Sequence, residues 1–131
     1  MSQDIRYIQR FENFEKSFKL LEDAIKIENP SILEKAGIIQ FFKTTFELSW
    51  KLLKDYLEYQ GFIVKSPRDT IKRAYENDLI DNGQTWLEAL NDRNLTADEI
   101  VANEVYETIK SKYFILLKEL YNTFKDKICL D

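Results

Sequence analysis

Asp92, Arg93 and Asn94 follow one another in a chain of 131 residues that contains no histidine. They sit between the short apolar helix pattern Trp86-Leu87-Glu88-Ala89-Leu90 and the helix-start signal at Thr96. Arg93 offers a planar fork of N–H donors that can grip a carboxylate or phosphate with two parallel hydrogen bonds. Asn94 can read an amide or a base edge, and Asp92 can bind an amine or orient the arginine. Helical folds usually keep ligand contacts on polar groups presented between helices. The same residues have a second reading, in which an Arg-Asp pair and an Asn turn tie the connection to neighbouring helices.

The missing histidine narrows the chemistry. Ser-His and Cys-His nucleophilic catalysis are excluded, and three isolated glycines form no phosphate-binding loop. A transition-metal site would have to rest on carboxylates, and Asp92, Asp98 and Glu99 have no metal-ligand spacing. No catalytic residue and no metal ligand is therefore assigned to this chain. The single Cys129 has no disulfide partner and no base to activate it, which fits a reducing compartment. What remains is recognition chemistry.

The elements that must position the cluster are helical. Ile8, Phe11, Phe14, Phe18, Leu21 and Ile25 recur every three or four residues, predicting a first helix from about Asp4 that ends before Asn29-Pro30. Ser31 and Glu34 form a capping box for a second helix, whose main body runs from about Ile38 to Gln60. Its apolar arc is wide, with Phe41, Leu48, Leu52 and Tyr59 on one flank and Phe42, Phe46, Leu53 and Leu57 on the other. Lys43, Glu47, Lys51, Lys54 and Glu58 hold its polar side. Trp50, at the margin of the arc, reads either as a rim residue of the core or as part of a subunit interface. Gly61 supplies the stop.

Ser66-Pro67-Arg68-Asp69 opens a third helix, predicted to end at Asp81-Asn82-Gly83, and a short fourth helix carries Trp86, Leu87 and Leu90. Thr96 and Glu99 form another capping box ahead of a last long helix. Val105, Tyr106, Ile109, Tyr113, Leu116, Leu117, Leu120 and Phe124 make its buried face, and fraying is predicted after about Lys127. The expectation is a single all-α domain over residues 1–131, a bundle of four to five helices.

Composition agrees with this reading. With 44% hydrophobic and 32% charged residues and only three Gly and two Pro, the chain has the make-up of a water-soluble helical domain. A net charge of −4 argues against a surface that attracts nucleic acid as a whole. No apolar run is long enough to span a membrane, and Asp4, Arg6 and Arg10 occupy the place of a signal peptide's apolar stretch. A cytoplasmic location is expected.

Four stretches together carry a resemblance: Ile5-Arg6-Tyr7-Ile8-Gln9-Arg10-Phe11, the run Thr45-Phe46-Glu47-Leu48-Ser49-Trp50-Lys51-Leu52-Leu53-Lys54-Asp55-Tyr56-Leu57, Ser66-Pro67-Arg68, and Asp92-Arg93-Asn94-Leu95-Thr96. In combination they resemble the nucleotidyltransferase substrate-binding-protein-like family over nearly the whole chain. The resemblance implies an up-down helical bundle similar to the substrate-binding domain of aminoglycoside nucleotidyltransferases. It implies a homodimer that pairs with a minimal nucleotidyltransferase subunit, with the nucleotide and magnesium on that partner and no cofactor on this chain.

The wider HEPN group to which the family belongs includes toxin ribonucleases that use an Arg followed by a His. Relatives typically continue the Arg-Asn-Leu-Thr run with a small residue, a His and, two positions later, a Tyr, where this chain has Ala97, Asp98 and Ile100. The general acid-base residue and the tyrosine that resembles a nucleotide-modification target in toxin-antitoxin pairs are both replaced.

The resemblance thus implies a non-catalytic subunit that presents a small-molecule or nucleotide substrate near Asp92, Arg93 and Asn94. Trp50, Lys54 and Arg68 are further candidates for the groove or docking surface. The alternatives are a HEPN-type ribonuclease, or its inactive relative, in which Asp98 replaces the histidine, and a purely structural dimer that stabilises the transferase. RNA is not the expected ligand.

Overall fold

The computed structural model describes residues 2–93 and 99–129, and their regular structure is all helix, with no strand among them. The first helix, α1 (Ser2–Ala24), buries Tyr7, Phe11, Phe14, Phe18 and Leu21 along one side. Asn29 takes a left-handed conformation (φ 49°) that asparagine tolerates, turning the chain at Pro30. The Ser31 hydroxyl then accepts from the Glu34 amide at 3.1 Å, while the Glu34 carboxylate accepts from the Ser31 amide at 2.9 Å. This reciprocal cap opens α2 (Ile32–Tyr59).

The helices α1 and α2 run antiparallel, joined by Ser17–Thr45 hydroxyls 2.6 Å apart and by Arg10 Nε donating to the buried Asp55 at 2.9 Å. Both flanks of α2 contribute to the core, through Phe42, Phe46, Leu53 and Leu57 on one side and Leu52 on the other, while Phe41 and Tyr59 stay exposed. At its end Gly61 adopts φ 98°, and the Phe62 and Gly61 amides return to the carbonyls of Leu57 and Glu58. That pattern is the Schellman stop, which favours a residue without a Cβ.

The third helix, α3 (Pro67–Glu76), is capped by the Ser66 hydroxyl accepting from the Asp69 amide. It stops earlier than the predicted Asp81-Asn82-Gly83. Asp78 turns left-handed (φ 59°), and the Leu79 amide closes back onto the Ala74 carbonyl at 2.9 Å. Leu79 and Ile80 are buried in the connection that follows. Next comes α4 (Gly83–Asp92), which buries Trp86, Ala89 and Leu90, with Trp86 set against Phe46 at 5.6 Å between ring centroids.

Three segments then run end to end: α5 (Glu99–Thr108), a π-helical turn (Ile109–Tyr113) and α6 (Phe114–Cys129). Every residue predicted for their buried face is buried, and the helix continues past Lys127 to Cys129. The Thr96 half of the predicted capping box, with Asn94, Ala97 and Asp98, lies outside the described residues. Glu15 and Glu22 of α1 meet Lys125 and Lys118 of α6, so these helices are antiparallel. Contacts of Phe42 with Tyr113 and Tyr56 with Phe124 show α2 and the last helix running the same way. The short pair α3 and α4 carries the chain back between them, an up-down bundle closed by two short helices.

Candidate functional site

On the polar side of α2, Gln40, Lys43, Thr44 and Glu47 lie within two helical turns of one another, with Leu48 half-buried beside them. Arg93, at the C-terminal end of α4, reaches over this face, and together these residues line an open cleft of about 550 Å³. The arginine is held there. Its Nη1 donates to Glu47 Oε2 at 2.7 Å, and the Trp50 indole N–H donates to the same oxygen at 3.0 Å. Lys51 Nζ stands 3.8 Å from the other carboxylate oxygen. One carboxylate therefore fixes two of the sequence-predicted residues, Arg93 and Trp50, and its charge is offset by its own donors.

The Arg93–Glu47 pair is partly open to water, with side chains 24% and 41% exposed, so it contributes only about 0.5–1 kcal/mol to folding. Its larger effect is on position, since it restrains a long side chain through one terminal nitrogen of the guanidinium.

Asp92 points elsewhere. Its carboxylate accepts from the hydroxyl of Tyr113 on the π-helical turn, fastening α4 to the last helix. Burial, then the hydrogen bond to Asp92 and the carboxylate's negative charge, push the Tyr113 phenol well above its ordinary value of 10.0. Because the shift is upward, the stabilisation it represents is complete below pH 10.0 and is lost as pH rises through the folded-state value. In an alkaline titration followed by tyrosinate absorbance, Tyr113 should stay un-ionised until the chain unfolds. Tyr113→Phe should lower stability at neutral pH by about 1–2 kcal/mol and remove that alkaline component.

The other predicted residues do not join the cleft. Lys54 faces Glu58 at 4.0 Å, and Glu58 also stands 4.0 Å from Arg6. Arg68 is exposed at the start of α3 and has no ion-pair partner among the described residues. Asn94 lies outside the described residues. Sequence reasoning placed Lys43 and Glu47 on the polar side of α2 but did not connect them to Arg93, 46 positions beyond Glu47. Nor did it single out Gln40 and Thr44. Tyr113 was legible as a core residue, not as the partner of Asp92.

Among the described residues no three carboxylate or thiol side chains gather into a metal-binding group, and no helix is long and apolar enough to cross a membrane. The arrangement is suited to holding a polar ligand group by charge-assisted hydrogen bonds.

Comparison with known proteins gives the family. The crystal structure of a protein from Thermus thermophilus is similar, with a TM-score of 0.76 and 30% identity over 83% of this chain and 96% of that one. No curated protein matches the chain. Residues 9–126 match the family described as nucleotidyltransferase substrate binding protein like, which covers the α1 stripe from Phe11 onward, the described lining of the cleft and nearly all of the last helix. On that match, the chain belongs to the nucleotidyltransferase substrate binding protein like family.

Proposed function

We propose that this chain is a non-catalytic, cytoplasmic, homodimeric subunit that docks a minimal nucleotidyltransferase and presents its substrate. Transfer chemistry, with its nucleotide and magnesium, belongs to the separate catalytic chain. The observation that supports this reading is the cleft: Arg93 held over the polar side of α2 by Glu47, beside Lys43, Gln40 and Thr44, in a chain without histidine. Such a site can bind and orient, while general acid-base catalysis at neutral pH has no imidazole to use.

Co-purification with a minimal nucleotidyltransferase is the direct test, and a stable complex on size exclusion is the expected result. Arg93→Ala should leave the complex assembled and lower transfer at least about tenfold, the worth of one charge-assisted hydrogen bond to substrate. Failure of the two chains to associate would overturn docking. Unchanged transfer by an intact Arg93→Ala complex would instead favour the purely structural subunit, for which the Arg93–Glu47 and Tyr113–Asp92 ties already supply a role.

A further inference from the structure

Resting on the reading of the cleft as the substrate site, we propose that the group it recognises is a phosphate, gripped by Lys43 and Arg93, and not an amine. Among the described residues that line the cleft Glu47 is the one carboxylate, and it is already committed. Glu47 Oε2 accepts from both Arg93 and Trp50, while Lys51 stands 3.8 Å from Oε1. An ammonium ligand would have to compete with these donors and approach two cations.

The donors, by contrast, are only partly engaged among the described residues. Lys43 is half-buried and has no carboxylate within ion-pair distance among the described residues, although Glu47 lies one turn further along the same helix. Among the described residues Arg93 commits one terminal nitrogen, to Glu47, and has other N–H groups for a second acceptor. Gln40 and Thr44 add a neutral amide and a hydroxyl on the same wall. With Glu47 offset, the described lining of the cleft carries positive charge from Lys43 and Arg93 on a chain of net charge −4, which favours an anion there.

A tetrahedral phosphate matches this donor set better than a single planar carboxylate. Arginine supplies parallel N–H bonds to two oxygens, and lysine supplies a mobile point charge to a third. Two sources share that chemistry: the polyphosphate of a nucleotide, or a phosphate ester on the acceptor substrate.

The test is calorimetric titration of the full chain with inorganic pyrophosphate, repeated on its complex with the transferase. Saturable binding that weakens with added salt is expected, falling at least about tenfold in Lys43→Gln and recovering in Lys43→Arg. Circular dichroism spectra matching the unaltered chain would show that both variants fold. Kanamycin, a polycationic sugar, should neither bind nor displace pyrophosphate. Competition by ATP would identify the nucleotide as the source, and competition by glucose 6-phosphate the acceptor; either supports the proposal.

Pyrophosphate binding that is absent, or equal in Lys43→Gln and the unaltered chain, would overturn it, as would displacement by kanamycin. These failures are separable from failure of the subunit reading. A chain that assembles with the transferase but ignores pyrophosphate loses the phosphate assignment alone, whereas a chain that binds pyrophosphate but never associates loses the docking.

Discussion

Replacing Trp86 with alanine is expected to destabilise the domain by about 3–5 kcal/mol, the range for deleting a large buried aromatic. The indole is only 1% exposed and packs on Phe46, so its removal leaves a cavity in the core. Against a total stability of about 5–15 kcal/mol, the loss is a large fraction. In thermal unfolding followed by circular dichroism, the midpoint should drop by roughly 10 °C or more. The effect reaches the cleft because Trp86 seats α4, and α4 carries Arg93. Trp86→Phe, which keeps an aromatic ring in the pocket, should cost less than half as much. A drop of only a few degrees in Trp86→Ala would mean that α4 is not anchored through this residue.

The second large effect is expected at Arg10. Its Nε donates to Asp55, whose side chain is only 7% exposed, across the α1–α2 interface. Arg10→Met keeps much of the aliphatic stem but leaves a buried carboxylate without its cation. For a fully buried pair that loss runs to about 3–5 kcal/mol; Arg10 is 32% exposed, so water offsets part of it and about 2–3 kcal/mol is the expected cost. Asp55→Asn, which still accepts from Arg10, should cost less. Urea unfolding of the single variants and of Arg10→Met combined with Asp55→Asn closes a double-mutant cycle, and an interaction energy near zero would rule out the pair as a clasp.

Most of the fold was legible because its signals are local. The Ser31–Glu34 box, the Ser66-Pro67 start and the Gly61 stop each lie within a few residues of the backbone groups they satisfy, and all three act as read. The apolar stripe of α1 and the buried face of the last helix follow from spacing alone. The end of α3 was misplaced because Gly83 is the stronger written signal, while the chain turns at Asp78, an aspartate that takes the left-handed conformation without announcing it. The cleft was half legible. Arg93 stood out by its chemistry, but its anchoring depends on Glu47 and Trp50, which only the packing of α4 on α2 brings within reach. No pattern in a single sequence encodes a contact across 46 positions between side chains on two helices. The π-helical turn was equally hidden, since Ile109 and Tyr113 fit an ordinary helical stripe.

That turn bears on descent as well as on architecture. A turn closed by i to i+5 bonds holds one residue more than the α-turn it replaces, and here the Phe114 amide reaches back to the Ile109 carbonyl. The helix on either side keeps its apolar face toward the same core. Removing one residue within 109–113 would turn this π-turn into an α-turn while the helix on either side kept its face toward the core. What such a change would alter is the reach of Tyr113 toward Asp92, so the length of this turn and the fastening of α4 would be inherited together.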